Sequence, residues 1–155
     1  METLTAFFQF TFIRPLVIAA GLGAVIGLER ELARKDPSLR TFSLIATGSC
    51  LFSMMSVYTA YGVPNADPGR ISAQIVSGIG FLGAGVIFRS ARGVSGLTTA
   101  ALIWVTAAIG MSVGLGRTAL ATEATILTLT LVWGLKLIHK IIAYFRGEEY
   151  VEESD

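Results

Sequence analysis

"SGIGFLGAGVIF", residues Ser77 to Phe88, is the stretch on which the fold turns. It holds Gly78, Gly80 and Gly83 at the G-x-G-x-x-G spacing of a dinucleotide cradle, inside a run that carries no charge. A phosphate cradle needs a strand before it, a helix after it and, about 20 residues on, an acid for the ribose. No Asp or Glu occurs between Asp67 and Glu123, and the glycines sit in the middle of the apolar run instead of at a polar end. The stretch reads as a membrane-spanning helix rich in small residues.

Working outward, a bilayer core takes about 20 predominantly apolar residues per helix. Thr41 to Tyr61, Ile71 to Phe88 and Leu97 to Leu115 are free of charge, and the flanking runs Phe8 to Leu28 and Ala119 to Ile142 carry charge only near their ends or, at Arg14, beside Pro15. Five spans follow, joined by short connectors. The expected fold is an all-α membrane protein with a transmembrane unit over residues 1–145 and an acidic tail over 146–155. Met1 to Ile13 contains Glu2 and no Lys or Arg, unlike a removable signal peptide, so the first span is expected to stay in the mature protein.

Composition agrees. The chain has 155 residues, 53% hydrophobic and 15% charged, where soluble proteins average about 25% charged. A net charge of +1, with arginines not interleaved with aromatics, excludes a general nucleic-acid binder. Cys50 is the single cysteine and His139 the single histidine, so neither a disulfide within the chain nor a Cys/His zinc site can form; Cys50 reads as a buried packing residue. No Ser/His/Asp set and no paired carboxylates can be assembled, so an enzyme is not expected.

Sorted by side, Arg30, Arg34, Lys35, Arg40, Arg89, Arg92, Lys136, Lys140 and Arg146 fall on one face and Arg14, Arg70 and Arg117 on the other. The positive-inside rule places the nine in the cytoplasm. Five crossings then put the N-terminus outside and the C-terminus inside.

The 17 glycines exceed the average of about 7% and cluster in the spans. Helices in lipid gain little by burying apolar surface against one another, so small residues that let backbones approach mark their contacts. Gly23 with Gly27, and Gly110 with Gly114, have the G-x-x-x-G spacing, and Gly78, Gly80, Gly83 and Gly85 extend the same use into the third span. The rival use is a broken helix whose freed carbonyls line an ion site.

Among polar residues, Asp67, Arg70, Gln74 and Ser77 recur at helical spacing and form one stripe, expected to point inward. Asp67 before Pro68 reads as a helix N-cap and first helical residue. Gln74 has no such local role, and its amide needs a partner at membrane depth. Glu29 abuts the first apolar run, and a buried pair with Arg40 or Arg89 is expected; Thr98 and Thr99 open the fourth span and either cap it or lend hydroxyls to that cluster.

The blocks "GLGAVIGLERE", "RTFSLIATGSCLF", "DPGRISAQIVSGIGFLGAGVIFR" and "GLTTAALIWVTAAIG" resemble the MgtC/SapB family of bacterial inner-membrane proteins, from about Gly21 to Gly116. The resemblance implies a five-helix membrane domain linked to growth in low magnesium and, in pathogens, to survival inside macrophages. It also implies a partner class, since the best-studied relatives are described as regulators of the F-type ATP synthase. By position it carries the family's polar pattern to Glu29, Arg30, Arg40, Thr41, Asp67, Arg70, Gln74 and Arg89. Thr98 stands where some members have Asn, and Val105 where they have Cys. The virulence-type members continue into an ACT-like cytoplasmic domain; with the sequence stopping at Asp155, a short form lacking it is expected.

Two functions are consistent with this reading. The first is a non-enzymatic, homo-oligomeric protein of the bacterial plasma membrane that serves magnesium or acid adaptation by contacting other inner-membrane proteins. The second is a small Mg²⁺ or other cation channel using Asp67, Gln74 and Glu29, with Asp67 the candidate outer metal site. No cofactor is expected in either.

Overall fold

The computed structural model describes the backbone of residues 2–91 and 93–146, with side chains from Phe12 onward. Arg92 and most of the acidic tail lie outside the described residues. The described residues form five helices: α1 Glu2–Leu32, α2 Leu39–Ala60, α3 Arg70–Ala84, α4 Leu97–Gly114 and α5 Thr118–Arg146. Between α3 and α4 a two-stranded antiparallel hairpin pairs β1 Phe88–Ser90 with β2 Gly93–Ser95, Arg89 opposite Val94. Among the described residues the protein is thus all-α apart from this hairpin. Among the described residues, four helices are long and apolar enough to cross a bilayer, over Phe12–Leu32, Leu39–Ala60, Leu97–Gly114 and Thr118–Arg146.

α3 departs from the expected third span. Its 15 residues cover about 22 Å at 1.5 Å per residue, short of the roughly 30 Å hydrocarbon core. It stops at Ala84: Gly85 and Val86 turn the chain, with the Val86 and Ile87 amides bonded back to the Gly83 and Ala84 carbonyls at 3.3 and 3.2 Å, and the strand β1 begins at Phe88. It still runs from one end of the bundle to the other. At one end Ser56 of α2 donates to Pro68 O at 2.6 Å and accepts the amides of Ile71 and Ser72 at 3.1 and 3.2 Å; at the other, Leu82 lies opposite Thr41 and Leu44. α3 is continuous, so its glycines open no break, and the G-x-G-x-x-G spacing lies within a helix where no phosphate loop exists.

Two left-handed glycines set the turns around α4. Gly96, at φ +85°, sits where a Cβ would run into the Val86 carbonyl. Gly116, at φ +76°, donates its amide to Val113 O at 2.9 Å while Arg117 donates to Ser112 O at 2.8 Å, the two bonds of a Schellman close, which lets α5 begin at Thr118.

α4 is the central helix and packs against all four others. Its apolar residues are not confined to one face, as suits a helix surrounded by protein. The core gathers Ile26, Phe42, Ala46, Leu102, Ile109 and Val113. Both G-x-x-x-G pairs close on α2. A Cβ on Gly23 would lie 2.5 Å from Phe42 O and 2.8 Å from the Ala46 Cβ, and one on Gly27 would lie 2.5 Å from the Leu39 Cα. Gly110 and Gly114 of α4 meet the Ala46 and Cys50 carbonyls from the opposite side, with the Ser53 Cβ 2.8 Å from Gly114's missing Cβ. Ala46, fully buried, is where α1 and α4 converge.

The third-span glycines behave differently. Gly83 is in ordinary contact with Ala100, at 3.7 Å, and Gly85 meets only carbonyls of its own turn. Gly78 and Gly80 have nothing within 4 Å of where a Cβ would be, so they close no contact within the chain, contrary to expectation. α3 turns Ser72, Ile75, Ile79 and Gly83 inward and leaves these two outside.

Candidate functional site

Gly27 draws the last turn of α1 against the start of α2, and this covers Glu29 and Arg30, which are 5% and 0% exposed. The Arg30 Nη2 donates to Thr99 Oγ1 at 3.1 Å, in the first turn of α4. The Glu29 carboxylate takes a hydrogen bond from Lys136 Nζ of α5 on Oε1 at 3.1 Å and has Arg30 Nη1 at 3.9 Å from Oε2. One buried acid therefore stands between two cations, and the group ties α1, α4 and α5 together at one end of the bundle. Charges in such a place are costly unless paired and hydrogen-bonded. This pairing explains how Glu29 and Arg30 can be drawn inside while Leu28 and Glu31 beside them stay exposed.

The expected partners of Glu29 are elsewhere. Arg40 is exposed, at one end of a groove between α2 and α3, and Arg89 is exposed on β1. Lys136 takes the place foreseen for them, from a position 107 residues away that carries no local signal. Thr98 is exposed, and Thr99 is the buried hydroxyl; neither caps α4, whose N-cap is Gly96 without a side-chain bond. Thr99→Val is therefore expected to lower stability by about 1–3 kcal/mol, because it removes an acceptor facing a buried guanidinium, while Thr98→Val changes little. Thermal melts of both variants in detergent measure the difference.

At the opposite end of the bundle, Asp67 does not cap α3 as expected. Its Oδ1 accepts the Gly69 amide at 2.8 Å, closing a turn before the helix, and Gly69 is the N-cap. Asp67 and Arg70 are exposed and line a shallow cavity of about 480 Å³ with Asn65 and Thr59. Gln74 and Ser77 are exposed as well, so the stripe points outward from the chain, because the ridge of Ile75 and Ile79 occupies the inward face. Gln74 lines the α2–α3 groove of about 580 Å³, with Thr41 and Arg40 at its far end and Gly48, Ser49 and Gly78 along it. The nine expected polar residues thus separate into a buried cluster holding Glu29 and Arg30, a groove holding Arg40, Thr41 and Gln74, an outer pair of Asp67 and Arg70, and the exposed Arg89 and Thr98. Among the described residues no three His, Cys, Asp or Glu side chains gather.

The chain is similar to Protein MgtC of Salmonella typhimurium, with 50% identity over 121 residues, covering 78% of this chain and 51% of that protein. It is similar to the putative magnesium transporter YhiD of Escherichia coli K12, with 41% identity over 144 residues, 90% of this chain and 66% of the relative. Protein SapB of Bacillus subtilis shares 49% over 107 residues, 65% of this chain and 46% of the relative. The chain spans about half the length of the MgtC proteins it matches. No solved structure matches it. The MgtC family profile matches residues 16–141, from just beyond Pro15 through most of α5, and the chain belongs to the MgtC family.

Proposed function

We propose that this protein serves magnesium homeostasis as a non-enzymatic component of the bacterial inner membrane, acting on other membrane proteins there and not by passing the ion itself. The observation that carries this reading is the state of Glu29. Its two oxygens face Lys136 and Arg30, so the site presents an excess of positive charge to any approaching cation. Mg²⁺ sheds water reluctantly and needs a roomy, oxygen-lined path. Between Glu29 and Asp67, at opposite ends, the buried side chains include Ile26, Phe42, Ala46, Ile109 and Val113, closely packed. The reading carries the N-out, C-in orientation with it, which places the Glu29 cluster at the cytoplasmic end, where basic residues concentrate.

The test has two arms. Purified protein in liposomes holding a magnesium-sensitive dye should admit no more Mg²⁺ than empty liposomes, and flux that is abolished by Glu29→Gln would sink the proposal in favour of a channel. In a host lacking its own relative, the protein should restore growth at low magnesium. Gln74→Leu should fail to restore it while inserting and folding normally, because trading an exposed amide for an apolar group in lipid costs the fold nothing. Full growth with Gln74→Leu would remove the outward stripe from the function.

A further inference from the structure

The groove between α2 and α3 has a charged mouth and an apolar body. The mouth lies at the end of the bundle that holds the Glu29 cluster and carries Arg40 and Thr41; among the described residues no acidic side chain lines the groove. Arg40 is exposed and makes no ion pair or hydrogen bond among the described residues. Both residues belong to the first turn of α2, whose N-cap, Ser38, makes no side-chain hydrogen bond, so the positive end of the helix dipole is open beside the guanidinium. From there the groove runs past Leu44 and Gly48 to Phe52, twelve residues beyond Arg40 or about 18 Å at 1.5 Å per residue, with Ile75, Gly78 and Leu82 on the α3 side. That is close to the depth of one leaflet, half of a hydrocarbon core of roughly 30 Å.

Two glycines keep the groove open. Gly48 and Gly78 line it from opposite helices, and neither has an atom within 4 Å of where a Cβ would be, so their missing side chains close no contact within the chain and leave room. Spread over its length, the volume of 580 Å³ gives a channel about 6 Å across, too narrow for a helix of about 10 Å and wide enough for a hydrocarbon chain. The polar Ser49 and Gln74 come only toward the far end, where a leaflet's chains stop. A cation and an uncapped helix N-terminus at the mouth of an apolar slot suit a molecule with a phosphate and an acyl chain. With no acid in the groove to meet an ammonium, a headgroup of net negative charge is matched better than a zwitterion. We infer that the α2–α3 groove binds one anionic phospholipid, its phosphate on Arg40 and Thr41 and one acyl chain lying between Leu44, Phe52 and Leu82.

Lipid retention by the purified protein tests this. The protein is exchanged into detergent micelles holding equal amounts of phosphatidylglycerol and phosphatidylethanolamine with the same acyl chains, and bound lipid is counted by native mass spectrometry. Wild type should keep one phosphatidylglycerol in preference to phosphatidylethanolamine by about fivefold, the ratio that one basic residue contributes at an anionic surface. Arg40→Gln should abolish the preference. Gly48→Leu, which fills the groove where there is open space, should retain neither lipid. Arg89→Gln, which removes an exposed cation on β1, should behave as wild type. Gly78→Leu blocks the groove from the α3 side and serves if Gly48→Leu folds poorly, with melting temperatures reporting the fold. Equal retention of the two lipids by wild type, or an undiminished preference in Arg40→Gln, overturns the proposal. So does retention of no lipid by wild type, the result expected if another protein's helix covers this face. Full retention in both glycine variants also overturns it, since the phosphate would then be held without a chain in the groove. Lipid counting does not involve magnesium-dependent growth, so the inference stands or falls separately from the proposed function.

Discussion

Gly110→Val is expected to abolish recovery of folded protein. The backbone of α4 at Gly110 rests on the Ala46 carbonyl of α2, with the Ala46 Cα 2.9 Å from the position of the added Cβ. Those neighbours are backbone and cannot rotate away. α2 is also held from the other side by Gly23, so it cannot retreat without opening a gap against α1. Overpacking a well-filled core costs about 1–3 kcal/mol, and a clash with backbone on both sides belongs at or above the top of that range. Folded yield by size-exclusion chromatography and the melting temperature in detergent measure it. Gly78→Ala is the control. It has open space around it, and alanine is favoured over glycine within a helix by up to about 1 kcal/mol, so its stability should hold or rise. A normal melting curve for Gly110→Val would mean that α2 and α4 do not touch at Ala46.

That contrast shows what the sequence could reveal. G-x-x-x-G spacing marked Gly23, Gly27, Gly110 and Gly114 because two small residues one turn apart leave a flat patch whatever the partner. The same rule applied to Gly78, Gly80 and Gly85 could not tell an inward patch from an outward one, since helix periodicity gives relative faces and not which face the bundle takes. The stripe of Asp67, Arg70, Gln74 and Ser77 was legible as a stripe for the same reason, and its direction was not. The spans themselves were legible from hydropathy, except that α3 ends at Ala84 and a turn and the β1–β2 hairpin take the rest of the apolar run. Thr98 and Thr99 differ by 100° of helix rotation, which only the packing of α4 decides. The burial of Glu29 was signalled by its place against an apolar run, but Lys136 reads as an interfacial snorkeller in a basic stretch, and pairing over that separation leaves no trace in one sequence.

The pairing makes a prediction as large as the first. Glu29→Ala should lower stability by about 3–5 kcal/mol, because it leaves the fully buried Arg30 with its hydrogen bond to Thr99 but without the neighbouring negative charge. Lys136→Met should also be costly, by about 1–3 kcal/mol, because it leaves the Glu29 carboxylate, 4% exposed, without the 3.1 Å hydrogen bond from Lys136. The decisive variant is Glu29→Ala combined with Arg30→Met, which removes both charges and substitutes an apolar chain of comparable reach. Replacing a buried ion pair whole is commonly far less harmful than breaking it, so the double variant should recover much of what Glu29→Ala loses, with a coupling of about 1–3 kcal/mol across the cycle. Chemical denaturation or thermal melts of the four proteins in one detergent supply the cycle. Additive losses would show that the 3.9 Å approach of Arg30 to Glu29 carries no energy.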